Sequence, residues 1–124
     1  MLTARPATAE DVKVFYPEIT ASFRAWVAEL DGELSGIVGI ALLRPTACMF
    51  SAFKDELRPY LGRPVIMRQV KKAQAAVRMS RVPVWAVADP EEPTSPGILG
   101  RLGFKPLGEV EGDQIFAWTP GEGE

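Results

Sequence analysis

Trp26-Val27-Ala28-Glu29-Leu30-Asp31-Gly32-Glu33-Leu34-Ser35-Gly36 decides how the rest of the chain is read. Asp31-Gly32 stands between two apolar runs, Phe23 to Leu30 and Leu34 to Leu43. A two-residue hairpin loop needs positive φ at both residues, which Asp and Gly tolerate. The stretch therefore predicts two antiparallel strands joined by a tight turn. Gly36 and Gly39 fall inside the second strand, where glycine marks a bulge or a close backbone approach. Arg44-Pro45 ends that strand, and Ala47 to Phe53 predicts another with little polarity on either side.

Toward the N-terminus, Leu2 to Arg5 predicts a short first strand. Thr8-Ala9-Glu10-Asp11 has capping-box spacing, with the Thr8 hydroxyl and Asp11 carboxylate satisfying free N–H groups. The helix it opens runs through Val12, Val14 and Phe15 and stops before Pro17.

Toward the C-terminus, Pro64 to Met79 is the strongest helix. Ile66, Val70, Ala73 and Val77 recur at helical spacing and predict its buried face. Pro64 suits the first turn, where its missing N–H costs nothing. Val82 to Val87 predicts a buried strand, and Asp89 to Pro96, with three prolines and three acids, a loop. Ile98 to Leu102 predicts a short helix closed by Gly103. Phe104 to Val110 and Gln114 to Trp118 predict a hairpin over Glu111-Gly112-Asp113.

Strands interleaved with helices in this order give an α/β (α+β) layer domain on a mixed central sheet. The chain of 124 residues suits a single domain, read as 1–119 with a polar C-terminal tail at 120–124. The absence of histidine removes the usual general base and the serine–histidine and cysteine–histidine nucleophile arrangements. Cys48 is the only cysteine, so no intramolecular disulfide and no cysteine-based metal site is expected. A net charge of −2 does not point to nucleic acid or to a membrane surface. No apolar run approaches the ~20 residues of a membrane helix. These features and the free thiol place the protein in the cytoplasm.

Arg5-Pro6-Ala7-Thr8-Ala9-Glu10-Asp11, the Asp31-Gly32 hairpin with its following glycine, and Leu102-Gly103-Phe104 together resemble the GNAT acyltransferase family. The likeness covers nearly the whole chain and implies a GNAT-like mixed sheet flanked by helices. A narrower likeness rests on Val84-Trp85-Ala86-Val87, Thr94-Ser95, Leu102-Gly103 and Asp113-Gln114-Ile115-Phe116. These segments are similar to small GNAT-like proteins of tailed phages, some of them associated with virion assembly.

The resemblance implies an acetyl-CoA site at the start of the long helix, where the family pattern is Gln/Arg-x-x-Gly-x-Gly/Ala. Backbone N–H groups there would meet a pyrophosphate beside a positive helix end. Pro59-Tyr60-Leu61-Gly62-Arg63-Pro64 matches that segment with Gly62 at its middle glycine. Pro59 and Pro64 depart from it, and Pro64 removes one donor. The implied contacts are Leu61, Gly62 and Arg63, with Arg58 beside them. No metal is implied. The position of the family's usual proton-donating tyrosine is Leu99, and both tyrosines, Tyr16 and Tyr60, lie elsewhere.

No catalytic residue is assigned. Glu29 serves as a base if it points into a central cleft, and otherwise is the solvent-facing member of a strand alternation. Cys48 reads as a small core residue, and Trp26, Trp85 and Trp118 as core or sheet-face residues. Arg58 to Arg81 holds seven basic residues and no acid. That stretch reads either as an anion site or as a solvated helix face beside acidic neighbours.

The function implied is a GNAT-fold protein with weak or lost acetyl-CoA-dependent transfer to an amine. The alternative is a non-catalytic phage or prophage assembly or interaction protein, virion-associated and using the fold as a scaffold for a protein partner. A third reading, nucleic-acid binding by the basic helix, would show itself by salt sensitivity.

Overall fold

The structure is a computed structural model that describes residues 1–17, 22–43, 45–87, 99–100 and 103–120. The first strand, β1 (Leu2–Pro6), leads into helix α1 (Ala9–Phe15). The expected capping box forms: the Asp11 N–H donates to the Thr8 hydroxyl, and the Thr8 N–H donates to the Asp11 carboxylate at 2.7 Å. Helix α1 ends before Pro17.

The hairpin of β2 (Phe23–Leu30) and β3 (Glu33–Leu42) turns on Asp31 at φ 52° and Gly32 at φ 82°. Both strand glycines have the expected roles. Ala28 faces Gly36 and Glu29 faces Leu34, so Ser35 is the extra residue of a bulge. At Gly39 a Cβ would lie 2.6 Å from both the Ala25 Cβ and the Arg24 carbonyl oxygen.

Strand β4 (Ala47–Phe53) is followed by a 3₁₀ helix, Asp55–Tyr60, that carries the fully buried Leu57. Helix α2 (Pro64–Arg78) has Pro64 in its first turn. Strand β5 (Val84–Val87) then returns parallel to β4, and β6 (Lys105–Val110) and β7 (Asp113–Trp118) close the sheet as a hairpin. The order is β1-β2-β3-β4-β5-β7-β6, antiparallel everywhere except between β4 and β5. A parallel pair needs a crossover, and α2 supplies it.

Helix α2 covers one face of the sheet, where Ala73 and Val77 meet Met49, Val84, Ala86, Phe104, Phe116 and Trp118. Helix α1 covers the other face over β2 to β4, where Val12 meets Val27, Ile37 and Phe50. The buried face of α2 differs from expectation by one residue. Ile66, Gln69, Ala73 and Val77 are buried, while Val70 is half-buried at its margin. Gln69 lines a cleft beneath the helix together with Ala28, Gly36 and Phe53.

Two further expectations change. Val82–Val87 is not buried on both faces: Val84 and Ala86 are buried, but Trp85 is 43% and Val87 51% exposed. The second hairpin turns on two residues rather than three, Glu111 at φ 53° and Gly112 at φ 87°, because Asp113 pairs with Val110. The Gly103 cap is present at φ 95°. Its N–H donates to Gly100 O, and Phe104 N–H reaches Leu99 O, the bond pattern of a Schellman ending. The expected ends of that short helix at Ile98 and Leu102, the Asp89–Pro96 loop with Thr94-Ser95, the Arg44 end of the second strand and most of the C-terminal tail lie outside the described residues.

Candidate functional site

The site is built by the parting of β4 from β5. These strands pair only at Ala47 with Val84, Cys48 with Trp85, and Met49 with Ala86. Ala47 N–H donates to Pro83 O at 2.9 Å, toward the β5 side. Backbone groups alternate sides along a strand, so Met49, Ser51 and Phe53 also turn their N–H and C=O toward β5. Beyond Met49 no strand among the described residues meets them. Meanwhile β5 continues along β7, to Val87 opposite Ile115. Among the described residues β4 and β5 therefore leave a wedge beside Ser51 and Phe53, with backbone groups of β4 along one wall.

Helix α1 reaches this wedge. The Tyr16 hydroxyl donates to Ser51 O at 2.7 Å. The Tyr16 ring stands edge-on to Phe50, 5.2 Å between centroids and 70° between planes. Tyr16 is half-buried and Ser51 exposed. No spacing rule links residues 35 positions apart, so this pairing is not legible in the sequence.

At the other end of β4, the 3₁₀ helix and its following turn lead into α2. Leu61 N–H donates to Arg58 O at 3.3 Å, and Arg63 N–H donates to Tyr60 O at 3.0 Å. Two of the three N–H groups expected to face a pyrophosphate are thus engaged in the turn. Gly62 N–H makes no backbone bond among the described residues. A Cβ on Gly62 would meet nothing within 4 Å, so no packing inside the protein demands glycine there. The Arg63 guanidinium lies over the Tyr60 ring, 5.6 Å from its centroid, at the N-terminus of α2. Arg58 pairs with Asp55 at 3.2 Å. Arg68, Lys71, Lys72, Arg78 and Arg81 are exposed and form no ion pair with a described residue.

No family model matches the sequence, and no curated protein does. Solved structures do. An N-acetyltransferase from Staphylococcus aureus Mu50 superposes with TM-score 0.65 at 14% identity, covering 96% of this chain and 98% of that one. A GNAT superfamily phosphinothricin acetyltransferase from Sinorhizobium meliloti, in complex with acetyl-CoA, gives 0.64 at 15%, covering 98% and 90%. The PaiA N-acetyltransferase from Thermoplasma acidophilum, in complex with coenzyme A, gives 0.62 at 12%, covering 96% and 99%. The chain has the GNAT fold. Identities this low carry the fold and not the reaction.

Within the GNAT fold, several candidate side chains are structural. Glu29 accepts from Arg5 Nε at 2.9 Å, and Arg5 also holds Asp11 at 2.6 Å. Arg5 keeps the Asp11 carboxyl far below the usual carboxylate range, and the two acids raise the Arg5 pKa. Glu29 therefore braces β1 against β2, two strands from the wedge. Burial pushes the Cys48 thiol up, which disfavours its thiolate. Leu99 is buried in the core with Phe104 and Trp118. Gln69 Oε1 is buried without a partner among the described residues, but it lies beneath α2 over β2 and β3. Among the described residues no three acids or thiols gather as a metal set, and no helix is long and apolar enough to cross a membrane.

Proposed function

We propose that the chain is an acetyl-CoA-dependent N-acetyltransferase of low turnover, acting in the cytoplasm. The observation that carries this reading is that β4 at Ser51 and Phe53, between the α2 loop and the Tyr16 hydroxyl, meets no described strand on its β5 side. An extended pantetheine arm has amide groups that can pair with such an edge as a strand would. Gly62 leaves room for a pyrophosphate to approach the backbone, and Arg63 adds a cation at the positive end of α2.

Acetyl-CoA would supply an activated thioester. Ser51 N–H is placed to polarise a carbonyl oxygen in the wedge, a preorganised donor of the kind that stabilises developing negative charge. Leu61, Arg63 and Pro64 weaken the loop, the first two because their N–H groups are engaged and the third because it has none. Leu99 leaves its usual proton-donor position apolar, and general acid catalysis contributes roughly 10²–10⁴-fold. A CoA-release assay over a panel of primary amines tests the reading. The expected result is measurable turnover below about 1 s⁻¹, the low end of typical enzymes. Turnover well above that would show that the loop and Leu99 cost little.

One observation favours a second reading. Trp85 and Val87 project from the sheet face opposite α2, beside Cys48, and are 43% and 51% exposed. Exposed apolar patches mark partner surfaces. That surface supports the non-catalytic scaffold, virion-associated if the protein belongs to a phage. The scaffold reading expects no CoA release with any amine.

A further inference from the structure

We infer that the solvent face of α2 is a track for the phosphate backbone of a nucleic acid. Arg68, Lys71, Lys72 and Arg78 are exposed on that helix, and Arg81, also exposed, follows its end. With about 3.6 residues per turn, the four helical cations fall within an arc of about 120°. That arc lies opposite the buried Ile66, Gln69, Ala73 and Val77. At about 1.5 Å per residue the cations extend along about 15 Å of the helix axis. Ala75 is exposed in the middle of the arc, and its small side chain leaves the face flat. None of the five cations forms an ion pair with a described residue. No acid occurs in α2.

The helices α1 and α2 are charged by different rules. Helix α1 has a side-chain cap, Glu10 and Asp11 in its first turn and Lys13 in its last, each where the helix dipole favours it. Helix α2 has no side-chain cap and no acid in its first turn. Arg68 stands three residues before Lys71 and four before Lys72, spacings at which like charges repel. A glutamate at any of these places would support the helix, and none is there. Local rules broken on one element and kept on another mark a surface shaped by function. An anion laid along the arc removes the repulsion.

That anion must be long. A single phosphate meets one or two of these cations, whereas a run of phosphates meets them all. The loop at Gly62 and Arg63 lies at the N-terminal end of α2, and the track continues away from it to Arg78 and Arg81. A net charge of −2 is a sum over the chain and does not set the local field, which follows the clustering of one sign. No aromatic residue occurs in α2 to stack on bases. The contacts are therefore to phosphates, which carry no sequence information.

The test is fluorescence anisotropy with a labelled 20-nucleotide oligothymidylate, and it does not depend on acetyl transfer. Four or five phosphate contacts on a single strand give a log–log salt slope of about −3. Affinity should then fall by about 50- to 130-fold between 50 and 200 mM salt. Lys71→Gln combined with Lys72→Gln should weaken the slope by about 1.4 and lower affinity at 50 mM salt by at least about tenfold. Both positions are exposed, so this variant should melt within a few degrees of wild type. Gly62→Val should bind the oligonucleotide as wild type does. No binding by wild type at about 100 µM protein and 50 mM salt, the weak limit of non-specific nucleic-acid binding, overturns the inference. So does unchanged affinity in the double variant, or loss of binding in Gly62→Val. Displacement of the oligonucleotide by poly-L-glutamate at equal concentration of charge would give the face to an acidic protein and overturn it as well.

Discussion

Replacing Gly39 with alanine should destabilise the protein by an amount set by two opposing terms. Gly39 does not have positive φ, so alanine can adopt its backbone conformation. Restricting the unfolded chain then stabilises by roughly 0.4–1 kcal/mol. Against this, the new Cβ would sit 2.6 Å from the Ala25 Cβ and 2.6 Å from the Arg24 carbonyl oxygen. Both belong to the neighbouring strand β2, and a carbonyl cannot rotate aside as a side chain can. Overpacking of this kind costs about 1–3 kcal/mol. The net loss is about 1–2 kcal/mol. With 124 residues and about 2.1 cal/mol/K per residue, the unfolding entropy is about 0.26 kcal/mol/K. Each kcal/mol is then about 4 °C, and Tm should fall by about 4–8 °C in differential scanning calorimetry. The control is Gly62→Ala, where nothing lies within 4 Å and Tm should hold within about 2 °C. If Gly39→Ala melts at or above wild type, the close approach of β2 to β3 is wrong.

Val77→Asp should leave no cooperative unfolding transition, because Val77 is fully buried and an unpaired charge there has no route to water. Val70→Asp, at the half-buried margin of α2, should retain a transition lowered in Tm; equal behaviour of the two would mean the helix is rotated. Asp11 has a folded pKa far below its unfolded value of about 4, so its contribution is full above about pH 4 and is lost as pH falls below that. In urea titrations wild type should exceed Asp11→Asn by about 1–3 kcal/mol at pH 7, with the gap narrowing steadily as pH falls below about 4. A gap that is the same at pH 7 and at pH 2 would contradict the pairing with Arg5 and the Thr8 backbone.

Much of the fold was legible because local chemistry forced it. Asp31-Gly32 accepts the two positive φ values that a tight hairpin demands, and Thr8 with Asp11 closes a cap within four residues. Gly36 and Gly39 announced a bulge and a close approach. The parallel return of Val84–Val87 followed from the long helix placed between two apolar strands. What stayed hidden depends on contacts distant in sequence. The 3₁₀ helix Asp55–Tyr60 buries one side chain, Leu57, and so has no periodicity to detect. Gln69 takes the buried place expected of Val70, in a cleft over β2 and β3 that only the folded sheet creates. The Leu61, Gly62 and Arg63 loop could be located but not its internal bonds, which need three-dimensional placement of Arg58 O and Tyr60 O. Tyr16 and Ser51 meet 35 positions apart, a contact no local pattern announces.

Acetyl-CoA is proposed to bind beside β4 and at the loop around Gly62. A thermal-shift titration with acetyl-CoA tests it most directly, since a ligand that binds only the native state must raise Tm. Tm is expected to rise with the logarithm of ligand concentration. At one hundred times Kd the gain is about 2.7 kcal/mol, or roughly 10 °C for a chain of this size. Gly62→Val, whose side chain would fill the open approach to the loop, should keep the wild-type Tm without ligand and lose the response. A wild-type Tm that stays flat to millimolar acetyl-CoA, or a Gly62→Val variant that responds as wild type does, would contradict the account.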